Sequence, residues 1–362
     1  MDVFARISHR EGIDFSWNEL TGALGDSVTV LPIAVSVAAL TELSLAHLLL
    51  GFAAFQIVWG VHYGLPISVE PMKALAALVI AGSIGPSELA VAGLLAGGVL
   101  FAVGSTGTLA RIERHVDRPV IRGVQLSVGL VLLRTGVELS LGGPVLALVA
   151  VGVVIGSLAL GHRRASTLAV LGAGVAVAVW RAGLPTPQLP ALVVATPDLS
   201  GVSTEAVGAT IGQLAMTVGN AAVATSLLFS DYFDSEVSAD ELATSMGIMN
   251  LLAIPFGAMP MCHGSGGVAG KYAFGARTAG ANLILGLLYA LATVLAVGVI
   301  AAFPMSMLGV VLAVIAIELA RTGLATDDFA LTVAVGLVGV LVNVGVAFIV
   351  GIAAAQIRKQ AL

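Results

Sequence analysis

Two stretches of this chain combine residues that could handle a small anion. The first, "LPISVEPMKALAA" at residues 65–77, sets Glu70 and Lys73 three positions apart with Pro71 between them. The second, "AMPMCHGSGGVAGKYAFGART" at 258–278, follows Pro260 with Cys262, His263 and the glycines Gly264, Gly266 and Gly267. Pro260 cannot continue a preceding helix, and glycines let a backbone approach a ligand closely. The amides of residues 264–268 would open a short helix with unpaired N–H groups. Such an end offers donors and partial positive charge to an anion. Pro71 fits the first helical position of the other stretch, again leaving free amides around Glu70–Lys73. Two such ends meeting would converge many N–H groups on the few oxygens of a compact oxyanion. Lys73 adds a positive charge there, or neutralises Glu70 one helical turn away.

Glu70 poses the chemical problem, because a carboxylate repels an anion beside it. Burial favours the neutral form of a carboxyl, so a protonated Glu70 would admit the anion and couple its binding to protons. The competing reading makes Glu70 and Lys73 a buried pair that only holds the helix in place. His263 is read as a helix-start histidine bonded to backbone ahead of a proton relay. Cys262 reads as a small packing residue. Asp26, in "GALGDSVTVLPIAV", either braces its helix or joins the site. Asn220, in "MTVGNAAVATSLL", faces the pocket or bonds a neighbouring helix.

The surroundings of these residues are those of a membrane. The 362 residues are 58% hydrophobic and 10% charged, with a mean hydropathy of +1.04. Soluble domains carry about 25% charged residues, and apolar runs of about 20 signal membrane spans. Runs such as "GPVLALVAVGVVIGSLALG" recur throughout, which predicts an all-α polytopic membrane protein. Transmembrane β-barrels need alternating segments of about ten residues, and none is present. Full helices are expected near 20–41, 44–62, 88–108, 119–137, 143–160, 165–182, 205–230, 240–257, 279–301, 304–320, 327–341 and 342–356. Two further segments, from Pro71 to Gly85 and from Gly264 to Gly275, are too short to cross. The total is about fourteen.

A cytoplasmic N-terminus would put Arg6, Arg10, Arg111, Arg114, Arg118, Arg122, Arg163, Arg164, Lys271, Arg277, Arg321, Arg358 and Lys359 in inside loops. Only Arg134 and Arg181 would lie outside, and Lys73 lies within a short segment. That asymmetry fits cytoplasmic N- and C-termini in a plasma-membrane protein. The two short segments occupy similar places in the two halves, near the third segment of each. A break near "RAGLPTPQLPAL" therefore divides the chain into residues 1–182 and 183–362, seven segments each. Seven is odd, so the halves would be inverted repeats, the layout of transporters that bind substrate at interrupted helices.

Several function classes are excluded. One cysteine, Cys262, allows neither an internal disulfide nor a Cys-cluster metal site. No nucleophile–base pair, metal cluster or nucleotide loop points to an enzyme or to a cofactor, and no basic tract points to nucleic acid. The start "MDVFARISHREGIDFSW" lacks the pattern of a cleavable signal peptide.

"GALGDSVTVLPI", "PISVEPMKALAA" and "MPMCHGSGGVAGKYAFGARTAG" resemble the molybdate-transporter branch of the sulfate permease superfamily. The resemblance extends over nearly the whole chain, with "GLPTPQLP" and "DDFALTVAVGLVGVLVNVGVAFIVGI" similar to general features of that superfamily. It implies fourteen segments, with a core domain from segments one to four and eight to eleven and a gate domain from the rest. The core would move as an elevator carrying substrate between segments three and ten. Carried onto this chain, the binding positions are Ser68, Glu70, Pro71, Met72, Lys73, Cys262, His263, Gly264, Ser265, Gly266 and Gly267. Glu70 stands where plant members more often have glutamine. The superfamily's serine–arginine pair at segment ten is here replaced by glycine-rich chain, and no cytoplasmic STAS domain is expected.

The leading expectation is a secondary transporter of molybdate, with sulfate or tungstate as competitors, protons as the coupling ion and a homodimer as a plausible assembly. A sulfate permease, an anion channel of the same fold and a nucleobase permease are the alternatives. The last would want aromatic stacking, for which the site stretches offer only Tyr272 and Phe274.

Overall fold

A computed structural model describes residues 13–113, 116–189 and 199–361. Arg6, Arg10, Arg114 and the last three residues, 190–192, of the expected boundary at "RAGLPTPQLPAL" lie outside those residues, as do the side chains of Arg164 and Asn220.

Among the described residues, fourteen helices of eight or more residues follow in chain order. They are α1 (Trp17–Leu40), α2 (Leu45–Tyr63), α3 (Lys73–Ile80), α4 (Pro86–Ser105), α5 (Arg118–Leu141), α6 (Pro144–Ala159) and α7 (Ser166–Ala182). The second half continues with α8 (Thr204–Phe233), α9 (Ala239–Ala253), α10 (Ser265–Ala273), α11 (Gly280–Ala302), α12 (Met305–Leu324), α13 (Phe329–Leu341) and α14 (Val344–Ala361). The expected segments are found within a few residues of their places. Six of the helices, α1, α2, α4, α5, α8 and α12, are long and apolar enough to cross a membrane.

Start signals in the sequence explain several of these boundaries. Pro86, Pro119 and Pro144 stand in the first turns of α4, α5 and α6, where the missing N–H leaves no bond unmade. Ser238 and Glu241 form a reciprocal cap on α9. Glycines then permit close packing of the rods. A Cβ on Gly136 of α5 would strike the Gly309 carbonyl of α12, and one on Gly247 of α9 would strike the Phe101 backbone of α4.

Two sets of helices emerge from this packing. α5 lies against α12, α13 and α14, while α6 and α7 pack on each other and on α12. In the other set α4 lies against α9 and α8, α11 against α1 and α2, and α10 against α1. α1, with Pro32 inside it, also meets α7 and α12 across the boundary.

Two strands of three residues, β1 (Val69–Pro71) and β2 (Met261–His263), lie at the centre of the second set. They pair antiparallel in the register Val69 with His263, Glu70 with Cys262 and Pro71 with Met261. Each strand leads directly into a short helix, α3 or α10, of 8 and 9 residues. At 1.5 Å per residue these are about 12–14 Å long, against about 30 Å of hydrocarbon, so neither can cross alone.

One expectation is corrected here. Lys271 is not a loop cation: it lies inside α10, is fully buried, and sits 3.1 Å from Asp26 Oδ2. A single lysine in a glycine-rich stretch reads as a helix end, and only tertiary packing supplies the acceptors that let it be buried.

Candidate functional site

The β1–β2 ladder brings the two quoted stretches face to face, so eleven of the twelve expected binding residues sit on or beside one four-segment crossing: Ser68, Glu70, Pro71, Met72 and Lys73 from one side, and Cys262, His263, Gly264, Ser265, Gly266 and Gly267 from the other. Gly267 completes the same turn of α10. Asn220 belongs to a stretch of π-helix, Thr217–Val223, in the middle of α8, and its side chain lies outside the described residues.

Glu70 is fully buried and its Oε2 lies 2.5 Å from Lys73 Nζ. Ser68 Oγ donates toward Glu70 Oε1 at 3.4 Å and to Asp26 Oδ1 at 2.6 Å. Gly267 closes against the same Glu70 carboxylate, and the nearby Thr29 hydroxyl donates to the Asp26 carbonyl at 3.0 Å. A Cβ on Gly264 or Gly267 would collide with that carboxylate. The glycines are therefore required by a carboxylate seated at the start of α10, besides any ligand. Gly266 is different: it is exposed, and a Cβ there would meet nothing within 4 Å.

The free amides are fewer than the sequence suggested. Helix α3 starts at Lys73, with Pro71 in the strand and Met72 at the cap. The Met72 amide donates to the Pro260 carbonyl at 2.9 Å. The Ala74 and Leu75 amides donate to Gln213 Oε1, at 2.9 and 3.4 Å. Buried backbone donors demand partners, and at this helix start a glutamine from α8 provides one. In α10 the Val268 amide closes onto Gly264, while the Ser265 and Gly266 amides make no hydrogen bond among the described residues.

Asp26 braces the crossing from α1. It accepts from Gln56 Nε2 at 2.9 Å and from Ser68, and pairs with Lys271. Lys271 Nζ further donates to the Ile67 carbonyl at 2.5 Å and to Gln56 Oε1 and Asn282 Oδ1, each at 3.0 Å. His263 is buried between Ser245 Oγ (2.7 Å) and the Ser68 carbonyl (3.2 Å), the backbone-bonded arrangement favoured above. Cys262 is buried, with Sγ 3.8 Å from the Pro71 carbonyl. Asn250 holds β2 by bonding both the amide and the carbonyl of Met261. Sequence reading missed Gln56, Gln213, Asn250, Lys271 and Asn282. Their common signal was available: each is a polar side chain isolated in an apolar helix, which a bilayer tolerates only with partners.

A cavity of about 930 Å³ reaches this crossing. Of the expected binding residues, Lys73 lines it, with 27% of its side chain exposed. Thr29 and Phe274 lie on the same wall, helices α6, α7 and α12 form the opposite one, and exposed His162, Arg163 and Arg321 stand at its edge. Tyr272 is unavailable for stacking on a planar ligand: it stacks on Tyr232 with centroids 4.2 Å apart and carries the Arg277 guanidinium at 3.7 Å.

Known proteins resemble this chain in sequence and in fold. A family described as "Molybdate transporter of MFS superfamily" matches residues 18–132 and again 205–319, together more than half of the chain. Molybdate transporter 2 of Arabidopsis thaliana is 30% identical over 84% of this chain and 78% of its own. Molybdate transporter 1 of Chlamydomonas reinhardtii is 27% identical over 93% of this chain and 90% of its own. Among solved structures, the transmembrane domain of the cyanobacterial bicarbonate transporter BicA superposes with a TM-score of 0.70 at 16% identity, covering 92% of this chain and 97% of that one. The murine Slc26a9 anion transporter in its inward-facing state gives 0.73 at 13% identity, over 99% of this chain and 70% of that one. The fold is thus one shared with BicA and Slc26a9. By the family match and by its relatives, this chain belongs to the molybdate transporter family.

Proposed function

We propose that this chain is a secondary active transporter of molybdate in the plasma membrane, with both termini cytoplasmic. The observation that carries the reading is Lys73. It is the charged group of the crossing that reaches the cavity, and the unbonded Ser265 and Gly266 amides open the helix across from it. A tetrahedral oxyanion held there would take the ammonium and the two amides as donors, the arrangement in which charge-assisted hydrogen bonds are strongest. The printed names of the relatives support molybdate as the substrate. Sulfate and tungstate share its shape and charge and are the expected competitors.

The remaining parts of the reading follow from layout. The one family description matches twice, in stretches of similar length, which supports two repeats over 1–182 and 183–362. The two packing sets correspond to a core that carries the site and a gate against which it moves, and the cavity lies on their boundary. Its edge carries Arg163 and Arg321, cations expected on the cytoplasmic side, and the likeness to an inward-facing structure supports a cavity open to the cytoplasm. Glu70 bonds Lys73, the cation an anion would need. Protonation of Glu70 frees that cation, so uptake is coupled to protons.

Radiolabelled molybdate uptake into proteoliposomes, with imposed pH gradients and sulfate competition, tests the reading. Saturable uptake driven by the gradient is expected. Ohmic, unsaturated current would replace the carrier by a channel, and stronger handling of sulfate would replace the substrate. In Glu70→Gln, binding should persist while the pH gradient loses its effect.

A further inference from the structure

The crossing holds two complete ion pairs, and their charges add to zero. Glu70 pairs with Lys73, and Asp26 pairs with Lys271. Three of the four side chains have no solvent exposure, and Lys73 reaches only the cavity. The two pairs are also joined, because the Ser68 hydroxyl touches both carboxylates. A Cβ on Gly267 would strike Ser68, Asp26 and Glu70 together, which shows how closely the groups converge.

Uncompensated charge inside a membrane is expensive. An empty site that is neutral overall therefore sets a condition on the loaded one. A dianion brings two negative charges, and a single proton on Glu70 removes one of them. The other must be removed by a second group of the cluster.

Lys271 keeps its charge. Its Nζ faces four acceptors, Asp26, Gln56, Asn282 and the Ile67 carbonyl, and a neutral amine would have one donor fewer for them. The remaining titratable groups around the pair are Lys73 on α3, Cys262 on β2, Tyr289 on α11 and Glu19 further along α1, with His263 turned toward the Ser68 carbonyl. Glu19 is already bonded by the amides of Arg277, Thr278 and Ala281. Asp26 is the carboxylate that remains, with a hydroxyl in line to reach it.

Building on the proton-coupled reading above, we infer that each dianion is carried with two protons, one on Glu70 and the second on Asp26, so that the loaded site moves without net charge. A proton enters from the cavity to Glu70 and passes to Asp26 when the Ser68 hydroxyl gives up its own proton on one side and receives one on the other. A second proton then refills Glu70. Both lysines stay protonated throughout, and both protons leave when the anion does.

The test measures, in proteoliposomes, the molybdate gradient at which net flux vanishes under set pH gradients and membrane potentials. Two protons per dianion sustain about a 100-fold molybdate gradient per pH unit, tenfold for each proton, with no effect of potential. About tenfold per unit, with a shift on changing the potential, would overturn the Asp26 assignment and leave Glu70 coupling standing. No response to pH would sink the coupled reading altogether. Asp26→Asn should convert the two-proton behaviour into the one-proton, potential-sensitive one. A variant that still held about 100-fold per unit would refute the role of Asp26. Asp26→Asn with Lys271→Gln keeps the empty site neutral and should give the same result without a stranded buried cation. The native protein decides the stoichiometry even if neither variant assembles.

Discussion

Lys271 Nζ stands 3.1 Å from Asp26 Oδ2 with neither side chain exposed, while Lys73, on the other short helix, pairs with Glu70 and reaches the cavity. Two lysines near one crossing thus have different tasks. Lys271 ties α10 to α1, to α2 through Gln56 and to the chain entering β1 at Ile67. Lys73 faces the cavity.

Lys271→Met should therefore destabilise the protein by about 3–5 kcal/mol, the usual consequence of removing one member of a buried pair. Adding Asp26→Asn should recover most of that loss. Thermal unfolding in detergent, followed by monodisperse elution, checks both.

Lys73→Gln should weaken molybdate binding by about 10- to 100-fold, because a charged donor to the ligand is worth about 1.5–3 kcal/mol. Equilibrium binding to purified protein measures it. An unchanged affinity would place the anion elsewhere.

Gly264→Ala and Gly266→Ala should separate two meanings of glycine. A methyl at 264 collides with the Glu70 carboxylate, and one at 266 enters open space. Gly264→Ala should lower the melting temperature, and Gly266→Ala should keep it while reducing uptake. Melting curves and uptake of the two variants, run side by side, decide this.

Gly266→Cys in a Cys262→Ala background should react with a membrane-impermeant maleimide only from the side on which Arg163 and Arg321 lie. Bound molybdate should slow the labelling. Native Cys262, which is buried, should label poorly.

Gln213→Leu should cost about 1–3 kcal/mol, since the Ala74 and Leu75 amides would then be buried without their acceptor. Gln213→Glu should restore an acceptor but add a negative charge at the start of α3 and weaken anion binding.

Much of this arrangement was legible in one dimension. Runs of apolar residues located the helices, and Pro71, Pro260 and the glycines at 264–267 marked where two segments had to be short. The Glu70–Lys73 spacing announced their pairing, and both are found together. Less legible was the start of α3, where Pro71 went into a strand because its partner Met261 lies nearly two hundred residues away. The supply of free amides was overstated for a related reason: Gln213, from α8, satisfies two of them.

By itself the sequence determined membrane residence, the places of the helices and the two points where a segment had to be short, since each depends on local composition and near-neighbour spacing. Tertiary structure decided which charges neutralise one another. Asp26 and Lys271 are 245 positions apart, and nothing in the spacing announces that they meet. A lysine can be buried only when acceptors from several helices surround it, and that enclosure exists only once the chain has folded.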